Sequence, residues 1–438
     1  MYSRDGYVTD TGMNTIALKR LLEKFLKHKS TQNFTIIAAI AVVQLFNNVI
    51  LGRSLSKDEF GLFSFVFFNV VNFLSVLLLF GQNSSILRYF SSKNIQHYKW
   101  KQYLLSFFAL IIVPVVLSAF AIKHIYKLEW TWFLMAVLAS FMMCCTNMTS
   151  TFYRSQGYFN TAIILERGHP VFFIILLAAS LVLYNTVTIG FAAVAKLISF
   201  SVQLVVIVYM FSHWKEGGER IEKSVFSEGI TLWELSLSVI VLTSIDAFFI
   251  AKILDYRELA LYSVMIAVMQ IYEFSRISLF QVYSQKFSRS KNINIPEFVS
   301  LLAVVAVMVT LFYLFSTKFI VRILFGGKYD ASFALVVLFC CYGVMNLMYV
   351  LPSCYLVGQS SKKEMHYMLG VNILSIVIKV VLIFALKSYA LSGFLVAGIV
   401  SQFFRTGAGY VMVFKNKKID YQALARYARP KIFKSDYR

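Results

Sequence analysis

The sequence predicts an all-α polytopic membrane protein, with about twelve transmembrane helices in two pseudo-symmetric six-helix bundles around a central cavity. Three observations predict it. Of the 438 residues, 59% are hydrophobic and 14% charged, whereas a soluble domain carries nearer a quarter charged residues. The apolar residues form continuous runs, with a mean hydropathy of +0.70, and a helix needs ~20 such residues to cross ~30 Å of hydrocarbon. Two stretches 199 residues apart repeat one another.

In chain order, residues 1–32 read as a basic, amphipathic cytoplasmic N-terminus. Leu18, Leu21, Leu22, Phe25 and Leu26 are set among Lys19, Arg20, Lys24, Lys27 and Lys29, a pattern that lies on an anionic lipid surface. No cleavable signal peptide is read there. The N-terminal bundle, 33–211, contains spans 33–53, 60–80, 103–122, 130–153, 161–184 and 187–211. A cytoplasmic linker, 212–229, is rich in Lys, Glu and Gly. The C-terminal bundle, 230–414, contains spans 230–253, 257–283, 298–317, 332–356, 367–386 and 389–414. Residues 415–438 form a basic cytoplasmic tail. The runs lack period-two alternation, which excludes a barrel.

The net charge of +21 sits mainly in loops and tails, which suits topology and anionic membrane lipids rather than nucleic acid. Of the 42 Lys and Arg, 27 fall on the side holding both tails, 10 on the other and 5 within spans. Both termini are therefore expected in the cytoplasm. The five cysteines all lie in apolar runs with no metal-ligand spacing. The six histidines form no motif, and no loop is large enough for a catalytic domain, so an enzyme is not expected. No nucleotide-binding GxxxxGK[ST] motif occurs, and no cofactor is expected.

The repeat pairs Arg53, Leu55, Glu59, Gly61, Leu62, Phe63 and Ser64 with Lys252, Leu254, Glu258, Ala260, Leu261, Tyr262 and Ser263. Each pair keeps its physical role. Both stretches join the first and second spans of a half. The same offset relates Asn47 to Asp246. Parallel halves of this kind suit alternating access about a central site.

Nine ionisable residues fall inside or at the ends of spans: Glu166, Arg167, Lys196, Asp246, Lys252, Glu273, Arg276, Lys379 and Arg405. Each costs at least ~2.5–3.5 kcal/mol in hydrocarbon unless it faces a cavity or a partner. Lys196 and Lys379 lie mid-span, too deep to snorkel. Glu273 and Arg276 are spaced to neutralise each other, whereas the adjacent Glu166 and Arg167 need other partners. The basic excess predicts a positive site that holds an anion such as phosphate or pyrophosphate. Asp246, and behind it Glu166, are candidates for exchanging protons or holding Na⁺.

Three stretches, Leu51–Ser64, Gly81–Phe90 and Ile245–Ser263, together with Leu324–Tyr329, resemble the polysaccharide-transporter branch of the multidrug/oligosaccharidyl-lipid/polysaccharide exporter superfamily. Its members include O-antigen and capsule repeat-unit flippases. Ala247 stands where members often have Arg, and Ala260 is the only partner of Gly61. The resemblance implies an undecaprenyl-diphosphate-linked oligosaccharide as substrate, moved across the bacterial inner membrane by H⁺ or Na⁺ exchange. A polysaccharide polymerase and a chain-length regulator are the partners it implies. On this resemblance Arg88 and Arg154 capture the head group. Arg167, Lys196, Arg276, Lys379 and Arg405 line the path, and Asp246, Glu166 and Glu273 serve ion coupling. A drug or metabolite cation antiporter of the same fold is the alternative.

Overall fold

The computed structural model describes the backbone of residues 29–93, 100–212, 223–289 and 294–417. Most of the expected amphipathic N-terminus, linker residues 213–222 and the tail from 418 onward lie outside the described residues.

The first half runs α1 (Lys29–Ser54), α2 (Lys57–Ser64), a π-helical turn (Phe65–Val70), α3 (Val71–Leu79), α4 (Gln82–Lys93), α5 (Trp100–Tyr126), α6 (Trp130–Ser155), α7 (Phe159–Arg167), α8 (His169–Tyr184) and α9 (Ile189–Ser212). The second runs α10 (Lys223–Ile253), α11 (Tyr256–Val268), α12 (Gln270–Arg289), α13 (Ile295–Phe325), α14 (Phe333–Met348), α15 (Val350–Gly358), α16 (Lys362–Leu386) and α17 (Ala390–Lys417). Among the described residues there is no strand.

Eight helical runs are long and apolar enough to cross a membrane, and the bent pairs α7–α8 and α11–α12 bring the number to ten. One of the eight, 362–415, is two crossings. Straight, it would reach about 80 Å at ~1.5 Å per residue. Instead it turns at Lys387–Tyr389, and α16 packs along α17. The described apolar stretch of α5, Ile112–Tyr126, supplies the twelfth crossing. α1 begins and α17 ends on one face of the molecule, the inner face.

Four spans that read as continuous are broken, and side chains repair the breaks. In hydrocarbon every freed backbone group needs a partner. Gly168 and Pro170 bend α7 and α8 by 44°, since proline carries no N–H and cannot continue a helix through itself. Gln203 of α9 donates to the freed carbonyl of Leu165, and Asn47 of α1 donates to the Pro170 carbonyl at 2.9 Å. The 51° bend between α11 and α12 is bridged by one hydroxyl. Tyr313 donates to Val268 O at 2.8 Å and accepts from Ile271 N at 3.0 Å. The π turn is held by Asn69 donating to Ser64 O, and the α14–α15 break falls at Tyr349, three residues before Pro352.

The 199-residue offset holds in three dimensions. It carries the π turn Phe65–Val70 onto Val264–Met269, where α11 bends into α12. Arg53 donates to Leu324 O at 2.7 Å and to Ile323 O at 2.5 Å, at the outer end of α13. Its counterpart Lys252 donates to Ile125 O at 2.7 Å, at the outer end of α5, and Ile125 is the counterpart of Leu324. Reciprocal contacts of this kind are what a two-fold axis produces. Asp58 and Arg257, also counterparts, pair with each other at 2.9 Å, so the pseudo-axis passes between them. Lys328, in the turn after α13, donates to Gly52 O and Leu55 O, and burial there lowers its pKa.

Close backbone approach completes the joint between lobes. A Cβ on Gly61 would fall 1.8 Å from Tyr256 O. Near the inner face Gly81 takes φ 64° and lies against the backbone of Gly229 and Trp233. Trp233 stacks on Phe80 and donates to Leu77 O at 3.1 Å.

Candidate functional site

The ionisable residues of the spans separate into three groups. The first is a row in the inner half of the molecule. Arg154 lies in the last turn of α6, Glu166 and Arg167 end α7, and Glu273 and Arg276 follow the bend into α12. Arg154 donates to Glu166 at 2.5 Å, and Arg167 reaches the same carboxylate at 3.6 Å. Glu166 thus finds its main partner on α6, and the adjacent Arg167 also turns toward it. Glu273 accepts two hydrogen bonds from the guanidinium of Arg276, at 2.7 and 2.5 Å, the strong forked geometry.

The row crosses between lobes. Arg167 of the first lobe interacts electrostatically with Glu273 of the second, and Arg276 with Arg405 of α17. Around it pack Ile37 and Ile40 of α1, Ile163 of α7, and Phe274 and Ile277 of α12. Three guanidinium groups share two carboxylates, so positive charge is in excess. The side chains of Arg154 and Arg167 are 27% and 38% exposed, and that of Arg276 38%, so the row is accessible from outside the protein.

The second group is sealed inside the second lobe. Lys379 of α16 donates to the Asp246 carboxylate of α10 at 2.7 Å and to Leu242 O at 2.7 Å. Both side chains are almost fully buried, at 0% and 2% exposure. Tyr262 donates weakly to the same carboxylate at 3.5 Å. Deeper toward the inner face, Arg405 donates to Asn372 Oδ1 at 2.8 Å, and Asn372 donates to Ser238 at 2.8 Å. The Arg405 guanidinium also lies 3.6 Å from the centre of the Tyr349 ring, a cation–π contact.

Lys379, expected to line an open path, therefore faces a carboxylate with no exposed surface. Asp246, expected to be free for H⁺ or Na⁺, carries an ammonium. The offset relates this pair to Asn47 and Ser180, so the lobes share a fold but not a charge pattern.

The third group is in the first lobe. Lys196 of α9 is 4% exposed and makes no ion pair among the described residues. Its ammonium lies 3.3 Å from His169 Nδ1 and 4.7, 5.2 and 5.8 Å from the rings of Phe173, Phe200 and Phe68. In the sequence His169 is one of six histidines that form no motif. Its sequence signal is the Gly168-His169-Pro170 interruption of an apolar run. Arg88 lies on α4, and its side chain is outside the described residues. An apolar groove of about 870 Å³ opens between α16 and α17, away from the row.

The family of polysaccharide biosynthesis proteins has a model that matches residues 29–282. No curated protein matches the chain. Solved structures similar over nearly its full length include the following three. An outward-facing multidrug resistance transporter of the MATE family, in the MOP superfamily, is 13% identical at a TM-score of 0.63, over 92% of this chain and 98% of that one. The inward-facing conformation of such a transporter is 14% identical at a TM-score of 0.61, over 95% and 99%. The MATE multidrug transporter DinF-BH in complex with R6G is 14% identical at a TM-score of 0.65, over 94% and 99%. The likeness is one of fold, a helical membrane protein of two lobes.

Proposed function

Since the chain belongs to the polysaccharide biosynthesis protein family, we propose that it is a flippase for oligosaccharide repeat units linked to undecaprenyl diphosphate. It acts in the bacterial inner membrane with both termini in the cytoplasm, and it works by alternating access between its lobes. The observation that carries this reading is the inter-lobe row, in which Arg154, Arg167 and Arg276 outnumber Glu166 and Glu273. A diphosphate needs several donors and a compensating positive charge, and guanidinium forks match its oxygens. Its lipid tail stays in hydrocarbon while the glycan follows the head group between lobes.

Surplus positive charge at the row repels organic cations, which disfavours the drug-antiporter alternative. The accessible arginines, rather than Lys379, are the head-group ligands in this reading. Arg154→Ala and Arg276→Ala each remove one charge-assisted contact, worth ~1.5–3 kcal/mol. Each is expected to slow translocation by roughly tenfold or more. The test places a fluorescent polyprenyl-diphosphate oligosaccharide in one leaflet of vesicles containing the purified protein. Its appearance in the other leaflet is followed with an impermeant quencher. Vesicles that move cationic dyes but not the glycan lipid would establish the antiporter instead.

A further inference from the structure

We propose that His169 and Lys196 form a proton-binding site of the first lobe, and that its charge state is read by the bend between α7 and α8. The proposal deepens the transport reading by giving it a coupling site. The two nitrogens are 3.3 Å apart. Either the ammonium donates to a neutral imidazole, or the imidazole Nδ1–H donates to a neutral amine. One proton fewer leaves the pair uncharged, and one proton more places two cations in contact.

The surroundings make each of these changes consequential. Arg167, at the end of α7, is the charged group facing His169. From α8 the pair meets Phe173, from the π turn Phe68, and from α9 itself Phe200. From α6, which also packs on α9, Met142 approaches at Ser201. From α1, Asn47 is engaged with the Pro170 carbonyl. No carboxylate pairs with Lys196 among the described residues. A buried cation without a counter-ion titrates readily, and two in contact titrate as one unit.

Geometry ties that unit to a moving part. His169 is the first residue of α8, at the 44° bend, and Lys196 is on a different helix. The bend is otherwise held by Gln203 on Leu165 O and Asn47 on Pro170 O. A second proton turns the His169–Lys196 contact from attraction to repulsion across the bend, pushing α8 from α9. By contrast Asp246, the expected coupling group, is compensated by Lys379 and sealed.

The test uses no substrate. Spin labels are placed at exposed Ile164 on α7 and Tyr184 at the far end of α8 in the full-length protein, reconstituted in nanodiscs. Their distance distribution is measured across roughly pH 4 to 9, a window that brackets the ordinary histidine range. The wild type is expected to pass between two distributions with a single midpoint. His169→Gln and Lys196→Met should each abolish the transition, while Lys379→Met should retain it where it folds. A pH-invariant wild type overturns the proposal without any variant. So does a wild-type midpoint in either His169→Gln or Lys196→Met. A normal pH response in a protein that fails to move glycan lipid would refute the substrate and leave the proton site standing.

Discussion

The Asp246–Lys379 pair shows how burial decides the role of a charge. Two ions at 2.7 Å with no exposed surface compensate each other, and removing one partner leaves the other uncompensated in a low dielectric. Lys379→Met and Asp246→Asn are each expected to cost about 3–5 kcal/mol. The double variant, which removes both charges, should recover most of that loss. Thermal unfolding of the detergent-solubilised variants measures it, and a double variant no more stable than the worse single one would show that the side chains act separately. The sequence marked both residues as exceptional, yet they are 133 positions apart and nothing local names either as the other's partner. The same holds for Arg154 and Glu166. Their 12-residue separation crosses a turn between helices, which only packing closes.

At the scale of one element, the informative feature is the broken helix. The bend at Met269 leaves a donor and an acceptor that a single hydroxyl of α13 satisfies. Tyr313→Phe keeps the ring and removes that bridge. It is expected to cost about 1–3 kcal/mol, the usual penalty for an unsatisfied buried group. Hydrogen exchange at Ile271 should accelerate in the variant, and unchanged protection there would show that the bend is held by packing alone. Hydropathy located this span but not its break, because neither glycine nor proline lies at Met269 to mark it. At Gly168 a glycine and a proline accompany the break, although 161–184 reads as one span by hydropathy.

For the whole molecule, the outer joint is the feature on which alternating access depends. Arg53 and Lys252 each cap the end of a helix in the opposite lobe, where a cation is favoured by the exposed carbonyls. Asp58 and Arg257 meet on the pseudo-axis. These contacts are exposed and polar, suited to breaking and re-forming in water. Asp58→Arg should repel Arg257 and shift the lobes toward separation at the outer face, and the swap Asp58→Arg with Arg257→Asp should restore the wild-type distribution. Inter-lobe spin-label distances at the outer face check this. A distribution unmoved by Asp58→Arg would show that the Gly61 approach to Tyr256, with no room for a side chain, holds the joint by itself.

The sequence by itself determined the solvent and the plan. Too few charged residues for a wet surface placed the chain in a bilayer, and apolar runs of spanning length placed the helices. The 199-residue repeat foretold two related lobes, because hydropathy and repetition are properties of the chain read in order. Tertiary structure alone decided which charges are neutralised. Lys196, Lys379 and Arg405 are alike as basic residues in apolar spans, yet one faces an imidazole, one a carboxylate and one an amide and an aromatic ring. Coulomb energy depends on distance and dielectric, and both are set by which helices pack together.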